Sequence, residues 1–142
     1  MHNSVKLQFL SVAVNEQFAR TTAAAFASQM NPSVEELSDI RTAVSEAVKN
    51  AIVHGYDNKP GKTVTMWMEI NDDVIEIVVS DTGHGIPDLE FAQKPFYTSK
   101  PELELSGMGF SVMRAFMDDV EVESTVDVGT AVTMRKRIRR AN

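Results

Sequence analysis

The chain has 142 residues, of which 43% are hydrophobic and 24% charged, with a net charge of −6 and no cysteine. These values are typical of one soluble domain with a single core, and no apolar run reaches the roughly 20 residues of a membrane-spanning helix. The lack of cysteine excludes disulfides and thiolate metal sites. The acidic balance argues against a nucleic-acid binder, although the last eight residues contain "RKRIRR". That tail is either the solvated end of a last strand or a basic docking arm.

The order of hydrophobic patterns predicts an α+β fold with strands at both ends of the chain. Alternating residues favour a strand over 5–12. Asn15 is the expected cap of a first helix. One face of that helix is expected to carry Phe18, Thr22, Ala25 and Phe26.

A second helix is predicted by a capping box, since Ser33 and Glu36 have the required spacing. It is expected to run to about His54, with Gly55 ending it. On this helix Glu46 and Asn50 are i,i+4 neighbours between small apolar residues. The pair suits Mg²⁺, which prefers oxygen ligands, but an ordinary surface hydrogen bond remains the alternative.

The second half of the chain predicts four strands around a long loop. Residues 63–70 and 74–79 are expected to form an antiparallel hairpin. A loop over about 88–105 precedes a helix from about Ser106 to Met117, and strands at about 120–125 and 130–137 complete the chain. The predicted fold is a two-layer sandwich, in which three helices cover one face of a mixed, mainly antiparallel sheet.

One apparent phosphate-binding loop is excluded by its spacing and context. The stretch "GYDNKPGKT" resembles a P-loop, but five residues instead of four separate Gly55 from Gly61. It also follows a predicted helix, whereas a P-loop follows a strand. We therefore expect a simple turn here.

Two glycine clusters suggest a nucleotide site. Asp81 ends an apolar strand and precedes Gly83 and Gly85, where the missing Cβ atoms let a flat ring approach the backbone. A carboxylate in that position needs donors, and an adenine amino group is one. Gly107 and Gly109 lie at a predicted helix start, where free N–H groups attract phosphate.

The segments "EAVKNAIVHG", "DTGHGIP", "SGMGF" and a late "GT" together resemble the conserved boxes of the GHKL superfamily of ATPases and kinases. The resemblance spans nearly the whole chain. More narrowly, "KPFYTSKPELELSGMGF" and "FMDDVEVES" resemble the anti-sigma kinases of spore-forming bacteria. The resemblance implies the GHKL ATP-binding fold for residues 1–142, with an ATP lid at about 94–106.

The resemblance also implies a role for individual residues. Glu46 corresponds to the general base, Asn50 to the Mg²⁺ ligand, and Arg20 to an arginine that contacts partner proteins. Asp81 would bind the adenine amino group. The remaining ATP-binding positions implied are Gly83, Gly85, Ile86, Thr98, Ser99, Lys100, Ser106, Gly107, Met108, Gly109, Phe110 and Thr130.

The function implied is a cytoplasmic, homodimeric anti-sigma factor that uses ATP and Mg²⁺. It would inhibit a sporulation sigma factor of the sigma F type and phosphorylate a serine of an anti-anti-sigma protein, without direct contact with nucleic acid or membrane. Leu105 stands where such kinases carry an arginine that meets the γ-phosphate, so loss of that contact would lower the rate.

Three alternatives follow. The chain could be a nucleotide-gated module that sequesters a sigma factor with little catalysis, which Leu105 favours. It could also be the related stress-response anti-sigma kinase, which shares the boxes and differs in partner. A histidine kinase catalytic domain is disfavoured, because no phosphoacceptor helix precedes residue 1 in this sequence.

Overall fold

The structure is a computed structural model that describes residues 1–87 and 109–139. Its strands and α-helices follow the order β1 (His2–Leu10), α1 (Asn15–Ala27), α2 (Val34–Lys49), β2 (Thr63–Asn71), β3 (Val74–Asp81), α3 (Gly109–Phe116), β4 (Asp119–Thr125) and β5 (Gly129–Arg137). A 3₁₀ turn over Ser28–Met30 follows α1, and a π-helical turn over Asn50–Gly55 continues α2.

The strands form one sheet in the order β1-β2-β3-β5-β4. Every pairing in this sheet is antiparallel, so the described part has no parallel component, and the expected mixed character was wrong. The predicted class is otherwise confirmed, because α1, α2 and α3 bury their apolar sides on the same face of the sheet.

Alternation along β2 shows how the two layers divide. Met66 and Met68 are fully buried under the helices, whereas Trp67 between them lies on the uncovered face and is 51% exposed. The ammonium of Lys6 on β1 lies 5.9 Å from the centre of the Trp67 ring. Among the described residues, no helix is both long and apolar enough to cross a membrane.

The first helix differs from its prediction in cap and buried face. Val14 occupies the cap position, and Asn15 instead donates its side-chain amide to the carbonyl of Leu10 at 2.9 Å. The buried face consists of small residues, with Phe18 exposed at 52% and only Phe26 buried among the four predicted. The alanines on this face let α1 approach α2 closely. The prediction differed because it selected buried positions by hydrophobicity, which favours phenylalanine over alanine. The buried residues of α1 are Ala19, Ala23, Ala24, Phe26 and Ala27.

The predicted capping box of α2 is confirmed. Glu36 N–H donates to the Ser33 hydroxyl at 3.1 Å, and Ser33 N–H donates to the Glu36 carboxylate at 2.9 Å. The second carboxylate oxygen of Glu36 accepts from Arg139 N–H at 2.8 Å. Burial alone would raise the pKa of Glu36, but these backbone N–H bonds outweigh it and lower the pKa. Glu36 thus joins the start of α2 to the end of the chain.

We expect Ser33→Ala to lower the free energy of unfolding by about 1 kcal/mol, because one N–H group at the helix start loses its acceptor. Urea unfolding monitored by circular dichroism measures this change. Ser38→Ala is the matched control, since Ser38 is exposed inside the same helix. An equal loss in both variants would contradict the role of the cap.

The remaining strand predictions are close to the structure. The β2–β3 hairpin is confirmed, and the last two strands each begin one residue earlier than predicted. The first strand begins earlier than predicted and ends at Leu10, because the Ser11 hydroxyl donates to the carbonyl of Lys59 at 2.6 Å and draws the chain away from the sheet.

The basic C-terminal stretch belongs to β5 over residues 135–137, as the strand interpretation predicted. Arg135 pairs with the carboxylates of Glu76 and Asp119, each at 2.7 Å. Lys136 lies 3.4 Å from the Asp39 carboxylate on α2. These cations neutralise acids on neighbouring elements, which does not favour a free docking arm over this stretch.

Candidate functional site

Asp81 is a buried carboxyl group at the last position of β3. It is 7% exposed, in a strand whose alternate residues form the core. One carboxylate oxygen accepts from Gly83 N–H at 2.9 Å. Burial raises the pKa of Asp81, opposed by hydrogen bonds from the N–H groups of Gly83 and Thr130. A buried acceptor of this kind gains from a ligand that donates a hydrogen bond.

The backbone packs around Asp81 without intervening side chains. A Cβ on Gly55, at the end of the π-helical turn, would lie 2.8 Å from the Asp81 carboxyl carbon. A Cβ on Gly129 would lie 2.1 Å from the Asp81 carbonyl oxygen. One on Gly83 would lie 1.9 Å from the carbonyl oxygen of Gly55. Close backbone approach therefore requires glycine at positions 83 and 129, and Gly55 leaves space for the Asp81 side chain.

The segment after Asp81 is held against the β4–β5 turn. Gly85 has a φ of +75°, and Ile86 N–H donates to the Ser124 hydroxyl at 2.7 Å. The Ser124 and Thr130 hydroxyl oxygens lie 2.8 Å apart, and Thr130 is 5% exposed. The structure thus brings together five predicted positions, namely Asp81, Gly83, Gly85, Ile86 and Thr130.

Glu46 and Asn50 follow one face of α2 into the π-helical turn. The side chain of Glu46 is 17% exposed, and its carboxylate lies 3.2 Å from the ammonium of Lys49. Asn50 is the residue at which the helix widens from α to π geometry. Such a widened turn often marks a functional site. It ends at Gly55, beside the Asp81 carboxyl group.

The structure agrees with the exclusion of a P-loop at residues 55–63. Residues 56–62 connect a π-helical turn to a strand, which is the reverse of the strand-to-helix order in a P-loop. Gly61 has a φ of +87° and open space around its Cβ position, as expected of a turn.

Several predicted positions lie outside the described residues, and their roles stay predictions. They are Thr98, Ser99, Lys100, Ser106, Gly107 and Met108, with the lid and Leu105. Gly109 is the first described residue of α3. Phe110 is 7% exposed and belongs to the hydrophobic core, so packing accounts for it without a nucleotide.

Arg20 lies apart from the Asp81 site, on α1. A guanidinium nitrogen lies 3.5 Å from the carboxylate of Glu16, one turn earlier. Arg20 and Arg41 line a polar groove of about 400 Å³ between α1 and α2. The groove therefore presents two cationic side chains to the solvent.

We expect Gly83→Ala to lower the free energy of unfolding by about 3 kcal/mol, because the new methyl group cannot fit against the Gly55 carbonyl. Nucleotide affinity should fall with it. Gly61→Ala should cost about 1 kcal/mol from its positive φ and leave affinity unchanged. Urea unfolding and calorimetric titration with ADP measure both effects. Loss of affinity on Gly61→Ala would contradict the exclusion of a P-loop.

Comparison with known proteins identifies the family. The family described as "Histidine kinase-like ATPase domain" matches residues 10–136. The Anti-sigma F factor of Geobacillus kaustophilus is 51% identical over 99% of this chain and 97% of its own length. That of Clostridium perfringens strain 13 is 53% identical over 97% of this chain and 99% of its own. The chain belongs to the anti-sigma F factor family. The narrower resemblance is thereby confirmed at the level of an anti-sigma F factor family.

The fold of this anti-sigma F family member also occurs in a distant solved structure. The RsbU and RsbW domains of Rv1364c from Mycobacterium tuberculosis match with a TM-score of 0.70, 16% identity, and coverage of 99% of this chain and 35% of the other. At that identity the match supports the fold alone.

Sequence reasoning missed three contributors to the site in this anti-sigma F family member. Gly55 was expected only to end a helix, yet it packs directly against the Asp81 carboxyl group. Tyr56 was expected in a turn, yet its hydroxyl oxygen accepts a hydrogen bond from the N–H group of Thr82, the residue after Asp81. Ser124 carried no signal, because a lone serine in a strand is indistinguishable from a solvated one.

Proposed function

We propose that the chain is an ATP-dependent protein serine kinase that also inhibits a sporulation sigma factor of the sigma F type. Its substrate would be a serine of an anti-anti-sigma protein. The observation that carries the proposal is the buried Asp81 carboxyl group, enclosed by glycine backbone at the end of a core strand. Family membership supports the same function.

Asp81 supports adenine recognition by its chemistry. Its carboxylate accepts hydrogen bonds only, and the 6-amino group of adenine is a donor of matching geometry. The missing Cβ atoms of Gly83 and Gly85 let the chain after Asp81 pack directly on the backbone of Gly55 and Thr125. Ile86, half-buried on the core, offers an apolar contact to the base.

Asn50 fits the role of a Mg²⁺ ligand. Mg²⁺ prefers oxygen ligands, and in nucleotide sites it takes one or two from protein and the rest from phosphate and water. Among the described residues no group of three acidic, cysteine or histidine side chains could hold a metal ion. The proposed arrangement is one amide oxygen of Asn50 beside the phosphates and water. When bound, Mg²⁺ would neutralise charge on the phosphates.

Glu46 is the proposed general base. As the serine oxygen bonds to the γ-phosphorus, the bond from that phosphorus to the bridging oxygen breaks and ADP leaves with the electron pair. Glu46 takes the proton of the serine hydroxyl, which keeps the step balanced. Its carboxylate must first leave Lys49, and that surface pair costs little to break because Lys49 is exposed.

Arg20 is the proposed contact for protein partners. The groove that it lines with Arg41 suits an acidic segment, because both guanidinium groups can form paired hydrogen bonds with carboxylates. We place the protein in the cytoplasm as a homodimer, without direct contact to nucleic acid or membrane, in accordance with the family resemblance.

The test is transfer of labelled γ-phosphate from ATP, with Mg²⁺, to cytosolic proteins of the source organism. One small acceptor labelled on serine is the expected product. Removal of Mg²⁺ with a chelator should abolish the label. If ATP binds but no protein is labelled, the kinase is wrong and the nucleotide-dependent sequestering module, which Leu105 favours, replaces it.

A further inference from the structure

The hydroxyl group of Tyr56 holds the backbone next to Asp81. Tyr56 follows the π-helical turn and is 5% exposed. Its oxygen donates to the carbonyl of Thr63 at 2.6 Å and accepts from Thr82 N–H at 2.7 Å. The Thr82 hydroxyl lies 3.2 Å away. Because the single Tyr56 proton goes to Thr63, the Thr82 hydroxyl acts as the donor in that third contact.

The peptide between Asp81 and Thr82 is therefore fixed at both of its polar atoms. Its N–H group bonds the Tyr56 oxygen, and its carbonyl oxygen packs directly against Gly129. The Asp81 side chain leaves the backbone beside this peptide. Small rotations of the peptide would shift the carboxylate, and the Tyr56 bond opposes them.

Tyr56 also joins the two halves of the site. It directly follows the turn that continues the helix with Glu46 and Asn50, and it bonds the strand end that carries Asp81. Its other partner residue, Thr63, is the first residue of β2. One hydroxyl group thus connects three elements next to the carboxylate.

We propose that Tyr56 is a positioning residue that sets the preference for adenine by fixing the Asp81 carboxylate. This inference rests on the proposed function, because it takes the 6-amino group of adenine as the ligand of Asp81. Tyr56 does not touch the base; it acts through the peptide of Thr82.

The consequence is selective for nucleotides that carry the amino group. A carboxylate displaced by a few tenths of an ångström weakens a hydrogen bond to that group, because such bonds depend steeply on distance and angle. A nucleotide without the amino group makes no such bond and loses nothing. General damage to the pocket would instead weaken both nucleotides.

The experiment measures dissociation constants of the full chain, with Mg²⁺, for ADP and for purine riboside 5′-diphosphate, which lacks the 6-amino group. We expect Tyr56→Phe to weaken ADP binding about tenfold and the purine riboside diphosphate less than twofold, because the Thr82 N–H loses its acceptor. Thr82→Ala is the matched control. It removes only the hydroxyl contact, keeps the N–H bond, and should change either affinity less than twofold.

Equal weakening of both nucleotides, or no change in either, would overturn the role of Tyr56. If the wild type itself bound both nucleotides equally, adenine recognition by Asp81 would be wrong, whereas the proposed kinase activity is tested separately by transfer of labelled phosphate. If Tyr56→Phe does not fold, amide exchange of Thr82 in the wild type decides. At least fivefold greater protection with ADP than with the purine riboside diphosphate supports the role, and equal protection overturns it.

Discussion

Glu46→Gln is expected to lower phosphate transfer to the protein acceptor by about 10²- to 10⁴-fold, the range that a general base contributes. Nucleotide affinity should change less than threefold, because the amide keeps the shape of the carboxylate and its place on α2. Single-turnover transfer from labelled ATP measures the rate, and calorimetric titration with ADP measures the affinity.

The structure offers two controls for this variant. Glu35→Gln makes the same chemical change at an exposed position in the first turn of the same helix and should leave transfer unchanged. Lys49→Gln removes the cation 3.2 Å from Glu46 while keeping the carboxylate, and should retain transfer. Full transfer by Glu46→Gln would remove Glu46 from the mechanism, and loss of ADP binding would show that the variant disturbed the site.

Asp81→Asn is expected to weaken ADP binding roughly 10- to 100-fold, which corresponds to the 1.5–3 kcal/mol of a hydrogen bond to a charged group. The asparagine oxygen can still accept from Gly83 N–H. Its NH₂ group would then face the adenine amino group, so two donors would meet. Equilibrium binding of ADP measures the loss.

Asp81→Asn weakens ADP binding but is expected to stabilise the fold at neutral pH. The sign of this change in the free energy of unfolding follows from the pKa of Asp81. Burial raises that pKa in the folded state. The stabilising contribution of the protonated group is therefore complete below the unfolded pKa and is lost as the pH rises through the folded pKa. The free energy of unfolding of Asp81→Asn minus that of the wild type should therefore be larger at pH 7 than at pH 4.

Urea unfolding at the two pH values tests this difference. Asp72→Asn is the control, because Asp72 has a 93% exposed side chain and should show neither effect. A stability difference that is the same at both pH values would mean that Asp81 titrates normally. Undiminished ADP binding would exclude it from base recognition.

Most of the fold could be predicted from the sequence where short-range patterns decide the structure. The box formed by Ser33 and Glu36 depends on three-residue spacing, and the β2–β3 hairpin depends on alternation with a polar turn. Asp81 was predicted correctly as the end of a strand, whereas the nucleotide site of residues 81–85 stays a prediction.

What could not be predicted depends on contacts between distant residues. The face of α1 is decided by how closely α2 approaches, which favours Ala23 over Phe18. The π-helical turn over Asn50–Gly55 has no local pattern that separates it from an α-helix. The bond from Tyr56 to Thr82 joins residues 26 positions apart.

The glycines around Asp81 limit how base preference can change during evolution or design. Gly83 and Gly129 meet neighbouring backbone, and Gly55 meets the Asp81 carboxyl group, so substitution at these positions damages the pocket before it alters selectivity. Among the described residues of the site, side chains already project at Asp81 and at Ile86, and variation is open there. A library intended to accept another purine should therefore be confined to those positions and keep the glycines fixed.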